Sequence, residues 1–265
     1  MPLYYNYILP TFAFIFGACV GSFLNVCIYR IPAEKSIVFP ASHCPKCKAP
    51  IKSYDNLPIL SYIILGGKCR SCRVSYSFRY PAIELITGLF ALATFLRFGL
   101  TYAFPIYFLF IAALITITFI DIDHFIIPDV ISFPMLGIGL ILSVFSDKLG
   151  LVVGIKSSAL GAFAGAGVLL AIAGGYYLIK KKEGMGMGDV KLLAFLGAFL
   201  GVRSIFFILF TSSIIAALYG IPAALMKKEG REHMIPFGPF LCAAGILYLF
   251  YGEAIIAAYI DFARM

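Results

Sequence analysis

The chain has no tryptophan, three histidines and only thirteen acidic residues among its 265. Charged side chains make up 13% of it and hydrophobic ones 62%, and the mean hydropathy is +0.97. So little charge excludes a water-soluble domain of this size, because nothing would cover so much apolar surface. A basic stretch ahead of the first apolar segment is also missing; its positive flank, Arg30, follows it. That argues against a cleaved signal peptide and for an anchor whose N-terminus lies outside. No Walker or Rossmann context surrounds the glycines, and no internal repeat is apparent. The net charge of +8 is not by default a nucleic-acid signal, since basic residues of membrane proteins collect on the cytoplasmic side.

What is present is a series of apolar runs, near 7–29, 81–98, 102–120, 130–146, 151–179, 190–202, 204–226 and 235–259. Several reach the ~20 residues that span a bilayer, which predicts an all-α polytopic membrane protein of about eight transmembrane helices. Residues 30–79, between the first two runs, hold nine of the 21 Lys and Arg. This places the polar insertion in the cytoplasm, with Lys180, Lys181, Lys182, Lys191, Lys227, Lys228 and Arg231 on the same side and both termini outside. The run 190–202 is short, ~20 Å as a helix, and is expected to be tilted, re-entrant or fused with the next across Arg203. The expected organisation is a first transmembrane helix over 1–30, a cytoplasmic insertion over 31–80 and the remaining membrane helices over 81–265.

The insertion carries Cys44-Pro45-Lys46-Cys47 and Cys69-Arg70-Ser71-Cys72. Four thiolates in two such pairs can close a tetrahedral zinc site with no open position, hence a structural one. A segment this small and polar has no core of its own and gains from a staple. A zinc centre with four thiolates carries a charge of about −2, which Lys46, Lys48, Arg70 and Arg73 can offset. Two disulfides or a redox pair are the alternatives; a reducing cytoplasm disfavours the first. His43 reads as a bystander, and Cys19, Cys27 and Cys242, in apolar runs, as small core residues. Gly17, Gly21 and Ser22 suit close packing of the first helix, where Asn25 is expected to bond a neighbouring helix.

Carboxylates at membrane depth are expensive and usually functional. Asp189, in Gly186-Met187-Gly188-Asp189, opens one apolar run, and Asp121 closes another at the same side. Capping of the next helix would account for Asp189 taken alone. Together they form a pair that cannot both stay ionised cheaply: one member can deprotonate water while the other, protonated, polarises a carbonyl. Asp123 and Asp129 are competitors, Asp129 reading as a cap after Pro128. His124 reads as an interfacial residue, and Glu84, near Pro81, as helix-start chemistry with a functional role open. Residues 235–240, with two prolines around Gly238, cannot be regular helix throughout and could present backbone to an extended peptide.

Taken in order, GSFLNVCIYRIP at 21–32, the paired CxxC, YDNLPILSYIILGGKC at 54–69, RYPAIELITG at 79–88, FIDIDHFIIPD at 119–129, GMGMGDVKLLAFLGAFLG at 184–201 and IPFGPFL at 235–241 closely resemble the bacterial type IV prepilin leader peptidase/N-methyltransferase family over essentially the whole chain. The resemblance implies a GxGD intramembrane aspartyl protease in the bacterial inner membrane, with its site at the cytoplasmic face. It implies cleavage of prepilins and pseudopilins after a glycine, then methylation of the new N-terminus with S-adenosylmethionine. The family's first catalytic aspartate falls on Asp121, seven positions before the proline of Ile127-Pro128, and its second on Asp189. Cys44, Cys47, Cys69 and Cys72 match members that keep a zinc loop. Cys242 stands where alanine is expected. Asn25, Arg30 and Glu84 are candidates for the methyl-donor site. Two other classes stay open: a membrane thiol-disulfide redox protein using the CxxC pairs, and a non-enzymatic scaffold with a zinc knuckle.

Overall fold

The computed structural model describes residues 7–181, 186–226 and 235–264. Gly184 and Met185 of the glycine-rich stretch, and Lys182, Lys227, Lys228 and Arg231 of the charge pattern, lie outside the described residues. The named elements are all helical: α1 (Leu9–Arg30), a 3-10 turn (Ser53–Asn56), α2 (Leu60–Ile64), α3 (Arg79–Phe98), α4 (Ala103–His124), α5 (Asp129–Val144), α6 (Ser146–Leu149), α7 (Ile155–Lys180), α8 (Met187–Leu200), α9 (Val202–Met226), α10 (Gly238–Leu247), a π-helical turn (Tyr248–Gly252) and α11 (Glu253–Ala263). Among the described residues six helices are long and apolar enough to cross a membrane: α1, α3, α4, α7, α9 and the continuous stretch Gly238–Ala263. The apolar helices α5 and α8 are shorter. Six long helices and these two account for the eight apolar runs of the sequence.

The chain forms two compact units, Met1–Thr116 and Ile117–Met265. In the first, α1 and α3 pack through small residues. A methyl added at Gly21 would stand 2.8 Å from the Glu84 Cα, and one at Gly88 3.0 Å from the Phe14 carbonyl oxygen. Backbones this close are how membrane helices gain packing contacts without a hydrophobic driving force between them. Asn25 donates to the Tyr80 carbonyl at 3.2 Å, as its place in an apolar run requires. The buried residues of α1 are Ala13, Gly17, Ala18, Gly21, Leu24, Cys27 and Ile28. Cys19 falls off that stripe and is exposed, contrary to its expected place in the core; Cys27 and Cys242 are buried.

In the second unit α8 is the central element. Its residues 192–200 are buried throughout, with Leu192, Leu193, Phe195 and Leu196 fully so. At 14 residues it is ~21 Å long. The helices around it cover it, so it need not match the hydrocarbon thickness. It is not fused with the next helix: Gly201 breaks the chain and α9 begins at Val202. The α7–α8 contact depends on a glycine at each side, because a methyl on Gly161 would enter the Gly197 carbonyl and one on Gly197 the Gly161 carbonyl. The Ser158 hydroxyl donates across the same contact to the Ala198 carbonyl at 2.6 Å.

Candidate active site

Asp121 lies near the end of α4 and is 5% exposed, whereas Asp123 is exposed. Two residues are ~200° around a helix, so burial of one carboxylate turns the other outward. Beyond it the helix cannot continue, because Pro128 lacks an N–H and constrains Ile127. Phe125 takes φ 57° and donates its N–H to the Asp121 carbonyl at 2.9 Å, and residues 125–128 link to α5.

That link packs against two glycines. A methyl on Gly188 would stand 3.0 Å from the Ile127 Cβ, and one on Gly238 would stand 3.3 Å from its Cδ1 and 2.5 Å from Asp121 Oδ2. Only glycine lets the start of α10 come so near Asp121, and the Gly238 N–H uses the approach to donate to Oδ2 at 3.1 Å. Asp189 follows Gly188 in the first turn of α8 and is partly buried. Asp121, Gly238, Ile127, Gly188 and Asp189 therefore form one chain of neighbours, and the Asp121 charge acts on Asp189. Cys242, buried and hydrogen-bonded with Thr118, is acted on by both carboxylates.

The sequence reading gave Thr118 no role, and it named Ile127 and Gly238 without these contacts. Thr118 precedes Asp121 by three residues, hence on the same helix face. For Gly238 the reading foresaw irregular backbone but aimed it at a substrate; its amide is directed at Asp121. Asp129 also differs from its expected role. Pro128 occupies the cap position, and Asp129, first residue of α5, pairs with Lys191 Nζ at 2.7 and 2.9 Å. His124 and Asp123 lie on the exposed side of the α4 end.

The cysteines form a second cluster. All four sulfurs lie within 4.8 Å of one another, with Cys44–Cys72 at 3.8 Å and Cys47–Cys69 at 4.0 Å. A tetrahedral ion with 2.3 Å bonds to sulfur needs separations of about 3.8 Å. These fit a metal, and the four thiols are free rather than disulfide-bonded. The two CxxC segments fold alike. Lys48 and Arg73, each following its second cysteine, take φ 59°. Cys44 donates its N–H to the Ala49 carbonyl at 2.9 Å and Cys69 to that of Val74 at 2.8 Å. The Cys47 amide, aided by that of Lys46, pulls the Cys44 thiol down to about 6; amides of Cys72 and Ser71 lower Cys69 likewise. The Tyr76 hydroxyl serves both sulfurs. His43 bonds the Ala41 carbonyl at 3.0 Å instead.

The residues considered for the methyl donor are each engaged in the fold. Arg30 donates to the Ser36 and Pro40 carbonyls at 2.9 and 2.7 Å. Glu84 accepts the Ile59 N–H at 2.7 Å and bonds the Ser22 hydroxyl.

The fold and the two clusters define a multi-pass helical membrane protein with a metal-competent insertion and a buried carboxylate neighbouring a second. The bacterial peptidase A24 N-terminal domain model matches residues 15–98, and the type IV leader peptidase family model matches 108–221. Relatives named prepilin leader peptidase/N-methyltransferase include those of Aeromonas salmonicida (34% identical, 94% of this chain and 92% of that one), Pseudomonas aeruginosa (35%, 94% and 92%) and Neisseria gonorrhoeae (38%, 88% and 87%). No solved structure matches the chain. The chain belongs to the type IV leader peptidase family.

Proposed function

We propose that this chain is a prepilin leader peptidase and N-methyltransferase, and that Asp121 and Asp189 perform the cleavage as an aspartyl pair. The observation that carries the assignment is the burial of Asp121 against the Gly238 amide, with Asp189 in the same chain of neighbours and Asp123 and Asp129 turned outward. With one carboxylate ionised and one protonated, the first takes a proton from water as the oxygen attacks the scissile carbonyl carbon. The second gives its proton to the carbonyl oxygen. The carbon–nitrogen bond then breaks and the departing amine takes a proton from the pair. The Gly238 N–H fixes the orientation of the Asp121 carboxylate throughout.

The substrate is a membrane-anchored prepilin or pseudopilin, cut after the glycine of its leader where it leaves the lipid. The charge pattern supports a site on the cytoplasmic face of the inner membrane and termini on the other side. Cys44, Cys47, Cys69 and Cys72 would hold a structural zinc ion that closes the two knuckles on each other. S-adenosylmethionine, when bound, supplies the methyl group. Methylation needs the free amine, so cleavage comes first on any one substrate. The geometry supports the metal reading over the redox one, since all four sulfurs gather in a single cluster rather than as two separate CxxC pairs. The test is direct: purified protein should shorten a prepilin by its leader, and Asp121→Asn should not. Full cleavage by Asp121→Asn would exclude the assignment.

A further inference from the structure

Residues 57–64 present an apolar surface that the other described residues do not cover. Leu60, Ile63 and Ile64 stand at positions i, i+3 and i+4 of α2 and so share one face. Their exposures are 57%, 67% and 74%. The polar contacts of the segment point the other way. The Ser61 hydroxyl donates to the Tyr54 carbonyl at 3.2 Å and accepts the Leu57 N–H at 3.0 Å, and Tyr62 donates to the Tyr76 carbonyl and meets Phe78 edge to face. With its polar side inward and its apolar side outward, α2 is reversed relative to a helix that faces water.

Its anchor places it at membrane depth. Ile59 takes φ 62°, a region that β-branched residues rarely enter, and in that conformation donates its N–H to Glu84. Glu84 lies inside α3, ~7.5 Å along the helix from Arg79. Since α3 is a membrane span, the bond ties the start of α2 beside the span's first turns rather than out over the water. The Asn25 bond to Tyr80 fixes α1 at the same level. Charge agrees with a lipid neighbour: residues 31–79 hold eight Lys and Arg against two acids, and one of those, Asp55, is occupied by Arg70.

We propose that the outward face of α2 is seated in the interfacial layer of the bilayer, among anionic phospholipid headgroups, so that the metal-knuckle insertion is docked on lipid. Interfacial helices bury their apolar side by roughly 5–10 Å and draw on basic residues nearby in this way. The two flanking spans bring the bilayer surface to the insertion at no further cost in association. Leu60, Ile63 and Ile64 supply the apolar area, and the Ile59–Glu84 bond sets the depth.

The absence of tryptophan gives a clean test. Ile64→Trp and Leu60→Trp each give the full-length protein a single tryptophan, excited selectively at the red edge where its tyrosines do not absorb, in vesicles of phosphatidylglycerol and phosphatidylethanolamine. Ile15→Trp, on the exposed side of α1, serves as a lipid-facing reference. Metal content reports whether the insertion has kept its fold; if one variant loses the metal, the other decides. Lipid brominated near the headgroup end of its chains should roughly halve the emission at 64 and at 60, while aqueous acrylamide has little effect. Acrylamide quenching without bromolipid quenching would overturn the proposal. So would acrylamide quenching that disappears only when a prepilin is added, which would make the face a substrate dock.

Discussion

The cysteine cluster and the carboxylate pair are both assembled from distant parts of the chain, but they are held by opposite means. Each knuckle is local: two cysteines three residues apart, a left-handed residue after them, and amides directed at sulfur. The knuckles meet through the four sulfurs, the Tyr76 hydroxyl that serves one sulfur of each, and the Arg70–Asp55 ion pair, a polar arrangement that a bound cation would hold together. The carboxylates need no such agent. Asp189 is delivered by the most thoroughly buried helix of its unit, and Asp121 by a helix end that two glycines allow others to approach. The insertion should therefore fail by losing its ion, and the carboxylate pair by losing shape or charge.

The sharpest contrast comes from the carboxylates. Asp121→Asn and Asp189→Asn should each abolish detectable cleavage in a prepilin-processing assay while leaving helicity and metal content unchanged, since neither leaves a pair to share a proton. Asp123→Asn should keep most activity. The reverse pattern at 121 and 123 would shift the site by two residues and break the comparison on its stronger side.

Cys44→Ser should remove the metal, expected at about one ion per chain by elemental analysis, because three thiolates do not complete the site. Methylation should fall before cleavage does. A protein that keeps full methylation without metal would break the comparison on the other side.

Gly238→Ala should lower kcat for cleavage by roughly a hundredfold, since a methyl 2.5 Å from Oδ2 must displace either the carboxylate or the start of α10. Its metal content should stay at the wild-type level. The smallest effect is expected at the Lys191–Asp129 pair, which joins α8 to α5 but is open to water, Asp129 being 57% exposed. Asp129→Asn should reduce activity by well under tenfold. The exchanged pair, Asp129→Lys with Lys191→Asp, should recover part of the loss.

Much of this was legible in the sequence because membrane solvent makes polar residues conspicuous. Asp121 and Asp189 stand out in runs of apolar side chains, although only the family resemblance, through the step from Asp121 to Ile127-Pro128, favoured Asp121 over Asp123. The four cysteines announce their cluster by spacing. The Gly238 amide was not legible in its role: it meets Asp121 across 117 positions, and no local pattern records which carboxylate a glycine approaches. The likeness of the two knuckles was hidden because Lys48 and Arg73 occupy left-handed positions where glycine would have signalled the turn. Cys19 was misplaced because an apolar run in a membrane protein does not say which of its faces meets lipid. Asp129 looked like a cap because its partner, Lys191, is 62 residues away.

The central proposal is that cleavage belongs to the carboxylate pair, and methylation, which acts on an amine already set free, is expected not to use it. Mass spectrometry of the pilin N-terminus tests this most directly, with Asp189→Asn enzyme given S-adenosylmethionine and either full-length prepilin or a pilin supplied already cut. The account predicts full-length, unmethylated prepilin in the first case and a methylated N-terminus in the second. An unmethylated pre-cut pilin, from enzyme that retains its fold and metal, would mean that both reactions use one site and would contradict the account.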